Sequence, residues 1–480
     1  MAVTPSPVSE SSLQALKDLL GPGGWLDAAA DRAPFETDFR GIHKGSTPLV
    51  ALPDSTQRVA EFVRFCAREH IGIVPQGGNT SYCGGPTPRA GGNEIVLSLR
   101  RMRRIRVIDA LNDSLTADAG CVLAELQDAA TAANRLLPMS LGSEGSCTLG
   151  GIISTNAGGT AVLRYGMTRA LVLGLEVVLP DGRVLDQLTA LRKDNTGYDV
   201  KQLFIGAEGT LGVVTAASLR LFPRPAATAT AMIALASPAA ALRLLARLRE
   251  TLGDAVTSFE LIPRIALEFV CRHVSGTRDP FDRAHDWYAL VEVTLAHADA
   301  DLAGRFETIL ATAIERGAAS DAVISSSESQ REALWRLRET IPEAQRHEGI
   351  SLKHDISVEP AKLPQFVEEG CALLAQLAPG ARLVAYGHLG DGNLHFNLSA
   401  AAGDDGRTLQ SAGDAIRRVV HDLVARHGGS ISAEHGIGQL KVAELARYED
   451  PAALELMRRI KRAIDPQGIM NPGKVLAPDS

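Results

Sequence analysis

A chain of 480 residues with 45% hydrophobic content is long enough for roughly two to four domains with buried cores, which excludes disorder as its main state. Its 45 glycines and 24 prolines fall short of low-complexity composition, and a net charge of -7 with no long run of Lys or Arg speaks against a nucleic-acid surface. The six cysteines form no CxxC pair, and the opening MAVTPSPVSE carries neither a basic leader nor an apolar run, so a soluble, cytoplasmic protein without a disulfide framework is expected.

Residues 1–46 are expected to form a helical extension, followed by a first domain over 47–225. A short strand after Pro48 leads into a helix starting at Asp54-Ser55-Thr56, with Val59, Phe62, Val63 and Cys66 on one face, and a second strand follows at Ile71–Val74. Further strands are predicted at Ile95–Leu99, Ile105–Ile108 and Leu115–Ala119, and a hairpin over Leu171–Leu185 turns at Pro180-Asp181-Gly182. Pro223-Arg224-Pro225 closes the domain. The second domain, 226–460, alternates helices such as Ala239–Leu252 with strands such as Tyr288–Thr294. A helix over Leu454–Ile464 ends at Asp465-Pro466-Gln467-Gly468, and residues 461–480, with NPGKVL extended, return toward the first domain.

Three glycine-rich stretches lie in the first domain: Pro75–Ser81, Leu141–Gly159 and Ile205–Gly212. None gives GxGxxG opening a helix with an acidic residue about twenty positions later, so a Rossmann nucleotide site is not supported. Successive glycines let backbone N–H groups converge on one anion as a nest for a pyrophosphate. The same residues also make tight turns in a β-rich domain, and on composition alone turns are the simpler reading.

In the segment YGHLGDGNLHFN, Gly390–Asn393 are strong turn formers. A four-residue loop there sets Leu389 opposite Leu394 and His388 opposite His395, with Cβ atoms about 4.5–5.5 Å apart, and Asn397 falls on the same face. The loop SAEHGIG adds Glu434 beside His435. Two imidazoles and one carboxylate form a catalytic metal set, with Zn2+ expected and Mn2+ or Fe2+ accepting the same ligands. A nonhaem Fe(II) oxygenase shares that triad, and a pair of surface histidines is the plainer alternative.

Ser327-x-x-Gln330 is a capping-box pattern, and its helix runs through Leu334, Leu337 and Ile341 until Pro342 ends it, with Arg331, Trp335 and Arg338 on another face. Over 350–358 the aliphatics alternate, so Lys353 points away from them. Arg338 and Lys353 brought together would hold a carboxylate; on residue types alone, two solvated cations are the simpler reading.

Taken together, PQGGNTS, LGSEGSCTLGGIISTNAGG, LRKDNTGYDVKQLFIGAEGTLGVVT, GHLGDGNLHFN and SAEHGIG resemble the flavin oxidoreductases of the vanillyl-alcohol oxidase type. Within them the likeness is greatest to the D-2-hydroxyglutarate and D-lactate dehydrogenases, and it runs from about Thr47 to Leu476. The resemblance implies an α+β, two-domain flavoprotein with an FAD-binding domain and an α+β substrate cap. It places Pro75, Gln76, Gly77, Gly78, Asn79, Thr80, Ser81, Gly142, Ser143, Gly145, Ser146, Gly150, Thr155, Asn156 and Gly158 around the pyrophosphate of FAD. Glu208, Gly212 and Val213 would lie along the cofactor, with Asn471 in the C-terminal segment. FAD is expected to be noncovalent, because PQGGNTS offers no His or Cys for attachment.

By the same resemblance His388, His395 and Glu434 are metal ligands, His435 is the proton acceptor, and Arg338, Lys353 and Asn397 hold the substrate. One departure is Pro342, which stands where the 2-hydroxyglutarate enzymes carry a Thr, so one hydroxyl contact is missing. The expected reaction oxidises a D-2-hydroxy acid, first D-2-hydroxyglutarate to 2-oxoglutarate, with D-lactate or D-malate as alternatives. A non-catalytic flavin electron-transfer subunit is the reading outside catalysis. An electron-transfer flavoprotein or a quinone is the expected acceptor, and a homodimer the candidate assembly.

Overall fold

Val59, Ala60, Phe62, Val63 and Cys66 are buried at helical spacing, and the helix they form, Thr56–Glu69, is capped by the Ser55 hydroxyl and stopped by His70 at φ 53°. The computed structural model containing it describes residues 8–299 and 301–478, so the first seven residues of the opening, on which the leader was judged, lie outside the described residues. By packing the chain forms two units. One comprises the described residues of Met1–Gly158, Met167–Arg224 and Glu434–Ser480, the other Gly159–Gly166 and Pro225–Ala433.

In the first unit, β1 (Trp25–Leu26), β2 (Val50–Ala51), β3 (Gly72–Gln76) and β4 (Glu94–Ser98) form a sheet in the order β1-β2-β4-β3. The strand, helix, strand unit read from the sequence is present, but β4 inserts between its two strands and runs parallel to both. Phe35, from the helix Ala29–Glu36, packs with Val50, Leu52, Val74 and Val96, which ties the N-terminal helices to this sheet. An antiparallel sheet follows, built from β5 (Ile105–Asp109) and β6 (Ser114–Asp118); the short β7 (Arg135–Leu136) lies outside it. Its other strands are β8 (Val172–Val178), β9 (Val184–Gln187) and β10 (Val213–Arg220), in the order β5-β6-β10-β8-β9, while β11 (Phe222–Pro223) pairs with β7.

The C-terminal residues belong to this unit from Glu434 onward, ahead of the 460–461 boundary set on sequence. The amides of Ile437 and Gly438 donate to the Glu208 carboxylate and that of Gln439 to the Cys83 carbonyl, which explains the earlier return; the Lys461 ammonium, on the helix Pro451–Ile464, adds bonds to the carbonyls of Thr210 and Met470. NPGKVL is not extended as expected: Asn471 and Val475 adopt φ 44° and 63°. Its start still lies along β3, where Ile73 exchanges backbone hydrogen bonds with Ile469 and Asn471 at 2.8 Å each.

The second unit holds one large antiparallel sheet. Its strands are β12 (Ala227–Leu235), β13 (Val256–Pro263), β14 (Trp287–Leu295), β15 (Asp321–Ile324), β16 (Ser351–Leu352), β17 (Asp355–Ser357), β18 (Arg382–His388) and β19 (Asn393–Ser399). They run in the order β15-β12-β14-β13-β18-β19-β16, with β17 also on β19. Met232, Ile262, Phe269, Tyr288, Leu334, Trp335 and Tyr386 form its core. The helix at Ser327 spans Glu328–Glu339, and Pro342 does not end it but opens the next helix, Ile341–His347, where a missing N–H costs nothing. The alternation over 350–358 breaks into β16 and β17, and the buried neighbours His354 and Asp355 replace the expected switch of faces.

Candidate functional site

In the first unit the glycine stretches pack on one another. A Cβ on Gly77 would sit 2.4 Å from the Thr148 hydroxyl, and one on Gly78 would sit 2.0 Å from the Ser146 carbonyl oxygen, so only glycine permits this approach. Gly142 and Gly145 face open space, whereas Gly150 lies against Ala119 and Gly212 against Val177, ahead of Val213 at the start of β10. A cavity of about 270 Å³ is lined by Gln76, Gly77, Gly78, Asn79, Ser146 and Thr148, together with Arg100 and Arg103.

Four expected cofactor residues, Asn79, Asn156, Glu208 and Asn471, are non-glycine residues held at positive φ, a costly conformation that concentrates at ligand sites. The side-chain oxygens of Asn79 and Asn471 are buried without a hydrogen-bond partner, although their amide nitrogens are engaged. Other side chains in the set serve the loop itself. Gln76 donates to the carbonyls of Phe35 and Pro86, Thr155 donates to Gly151, and the Ser81 hydroxyl accepts from the Cys83 amide. The Ser143 carbonyl accepts from Ser146, Asn156 accepts from Arg169, and Pro75, Thr80 and Gly158 are half-buried. Side-chain-free approaches and two arginines fit the diphosphate of a cofactor, while the orphaned Asn79 and Asn471 oxygens are acceptors suited to hydroxyl or N–H donors rather than to an anion. The arginines were missed on sequence, although five of residues 100–106 are Arg.

The loop bearing His435 is fixed by Glu208. Its carboxylate accepts from the amides of Ile437 and Gly438 at 2.7 and 2.9 Å, and a Cβ on Gly436 would sit 2.7 Å from it. Burial pushes the Glu208 carboxyl up, against the pull of those amides. Tyr82 stacks on His435 with ring centroids 4.6 Å apart, and Glu434 Oε1 lies 3.8 Å from His435 Nε2.

In the second unit the hairpin register differs from expectation. The loop is Leu389–Gly392, and Tyr386, not His388, stands opposite His395. The slip is two residues, so every side chain keeps its face. His388 and His395 become diagonal neighbours with ring centroids 6.0 Å apart, still able to direct two imidazole nitrogens at one ion, and Asn397 shares that face. Asp355, opposite His395 on β17, brings its Oδ1 to 4.0 Å from His395 Nδ1.

Sequence reasoning missed Glu260. This β13 residue has no exposure, accepts from Arg338 Nε at 2.7 Å, and lies 2.5 Å from His388 Nδ1. Burial pushes its carboxyl up, but its contacts with His388 and Arg338 outweigh burial and hold it below the usual carboxylate range. Arg338 is therefore buried rather than solvated, and its guanidinium lies over the Tyr386 ring. Lys353 has a different partner, the side-chain oxygen of Gln345, which also accepts from Asn397 at 3.1 Å, while the Asn397 oxygen accepts from the His354 amide. Arg338 thus meets Glu260 and Lys353 meets Gln345, and the buried Gln345 was invisible to hydropathy patterning. On the Arg338 helix, Arg331 and Trp335 both donate to Glu292.

Comparison with known proteins gives the site its context. A family model for the C-terminal domain of FAD linked oxidases matches residues 224–475, and one for an FAD binding domain matches 47–187. The chain is 37% identical over 471 residues to the mitochondrial D-2-hydroxyglutarate dehydrogenase of Arabidopsis thaliana, spanning 98% of this chain and 82% of that one. It is 39% identical over 472 residues to the corresponding mitochondrial enzyme of Bos taurus, spanning 98% and 84%. Among solved structures, p-cresol methylhydroxylase with substrate bound matches with a TM-score of 0.76 at 16% identity over 98% of both chains, a likeness of fold. The α+β, two-domain FAD-binding architecture stands. The cytoplasmic expectation does not: these relatives are mitochondrial, and cysteines that form no disulfide do not choose among reducing compartments.

Proposed function

The chain belongs to the FAD-linked oxidase family and is an FAD-dependent dehydrogenase, and from that premise we propose that it oxidises D-2-hydroxyglutarate to 2-oxoglutarate with the help of a divalent cation. The observation that carries this reading is the shared face of His388, His395 and Asn397, in a chain matching D-2-hydroxyglutarate dehydrogenases almost end to end.

Bound FAD supplies the hydride acceptor and a bound cation the Lewis acid. His388, His395 and Glu434 hold the cation, for which Zn2+ suits the nitrogen and oxygen donors and Mn2+ or Fe2+ are the alternatives. His435 takes the proton from the C2 hydroxyl oxygen of the substrate. Its plane is set by Tyr82 and its backbone by Glu208. Arg338 and Lys353 hold the substrate carboxylates, with Asn397 beside Lys353 through Gln345. The glycine stretches, with Arg100 and Arg103, cradle the FAD diphosphate.

Attachment of FAD is noncovalent. In support, Cys83 and Cys147 are buried, the Cys83 thiol donates to the Gly436 carbonyl, and burial pushes the Cys147 thiol up. Electrons leave to an electron-transfer flavoprotein or a quinone, from an enzyme acting as a homodimer. A second reading, D-malate or D-lactate as substrate, is favoured by Pro342, which supplies no hydroxyl at the start of the helix Ile341–His347. The test is a panel of D- and L-2-hydroxy acids assayed with an artificial dye acceptor, alongside metal analysis of the purified yellow protein. Preference for L-acids or full activity in metal-free protein overturns the proposal.

A further inference from the structure

Glu260 lies at the centre of β13, opposite His388 in the β13–β18 ladder, so the backbone register itself delivers the two side chains to one place. One carboxylate oxygen, Oε1, meets His388 Nδ1, and the other, Oε2, meets Arg338 Nε from the helix Glu328–Glu339. Tyr386, two residues before His388 and on the same face, supports the Arg338 guanidinium from below at 4.9 Å. An ion pair serving only stability would need nothing beyond Glu260 and Arg338. A carboxylate with no exposure that divides its two oxygens between an arginine and an imidazole does more, because burying that charge is costly before any partner offsets it.

We propose that Glu260 is a positioning residue that couples two functions of the site, orienting His388 for a divalent cation and Arg338 for a substrate carboxylate. A carboxylate at Nδ1 requires the proton there, which leaves the Nε2 lone pair for a metal and makes the ring more basic. The second oxygen fixes the guanidinium through Nε. Both terminal nitrogens are thereby left to grip an anion in bidentate fashion, and neither forms a hydrogen bond among the described residues. The inference rests on the reading of His388 as a metal ligand and adds a residue to it.

The experiment compares parental protein, Glu260→Gln, Glu260→Asp and His388→Ala, all loaded with FAD. Zn2+ affinity is measured by competition with a chromophoric chelator, and the visible bands of the Co2+-loaded protein are recorded. Both Glu260 variants are expected to bind Zn2+ about 10- to 100-fold more weakly and to shift the Co2+ bands, with FAD content unchanged. Both are also expected to raise KM for the hydroxy acid. Glu260→Asp keeps the charge that Arg338 requires but is too short to reach both partners, so it decides the matter if Glu260→Gln does not fold. Parental Zn2+ affinity in Glu260→Asp, or in a folded Glu260→Gln, overturns the inference. Parental affinity in His388→Ala removes His388 from the metal site and overturns the underlying reading instead.

Discussion

The glycine loops of the first unit and the buried charges of the second are built by opposite means. Around Gly77 and Gly78 the chain offers its own backbone, and side chains are absent because a single Cβ would strike Thr148 or Ser146. Around Glu260 the backbone is a regular sheet, and specificity lies in side chains that settle each other's charge. A backbone site advertises itself in composition, since glycine is the only residue that serves. A buried-charge site does not, because each member is unremarkable until its partner is known.

The contrast is broken most severely at the hairpin. His388→Ala and His395→Ala are each expected to abolish turnover while FAD remains bound, since the glycine loops lie in the other unit; metal content and the flavin absorption spectrum of the purified variants check this. His435→Ala retains FAD and metal, and its anaerobic flavin reduction by substrate falls about 10²–10⁴-fold, the usual contribution of a positioned base; stopped-flow absorbance decides it. Lys353→Met, which keeps length and removes charge, narrows the preference for D-2-hydroxyglutarate over D-lactate by about 10- to 150-fold. This is the worth of one charge-assisted hydrogen bond of roughly 1.5–3 kcal/mol. Equal loss of kcat/KM for both acids refutes it.

The smallest effect concerns stability. Glu348 accepts from Arg382, His273 and Arg272; burial pushes its carboxyl up, but those partners prevail and hold it at about 2. Folding lowers this pKa, so the folded chain binds fewer protons than the unfolded chain between about pH 4.5 and 2. The contribution is complete above that window and disappears as pH falls through it. Discounted for the exposure of Arg272, it amounts to about 2 kcal/mol. Urea denaturation of parental and Glu348→Gln protein is expected to show that gap at pH 6 and most of it gone near pH 2.5. A gap unchanged between the two pH values refutes the assignment.

Much of the first unit was legible in its residues. Helix Thr56–Glu69 and the strands around it follow from hydrophobic spacing and caps, and the glycine motifs mark loops that pack closely on one another. What escaped was parity and partnership. Turn chemistry in LGDGN marks where the hairpin reverses but not which four residues make the loop, so the register came out two residues away while the face survived. Pro342 fits an ending helix or a beginning one equally well. Glu260 sits in an apolar stretch that points to a core and Gln345 in a charged one that points to solvent, and nothing local shows that Arg338, His388, Lys353 and Asn397 will converge on them.

The order of the chain carries one more consequence. Because the first unit is interrupted after Arg224 and resumes only at Glu434, its later pieces are synthesised after the whole of the second unit. Until they emerge, Ile73 lacks the partners that Ile469 and Asn471 provide, and the buried carboxylate of Glu208 lacks the amides of Ile437 and Gly438. A message cut short beyond codon 433 therefore yields a product whose second unit is whole in sequence and whose first unit is unfinished.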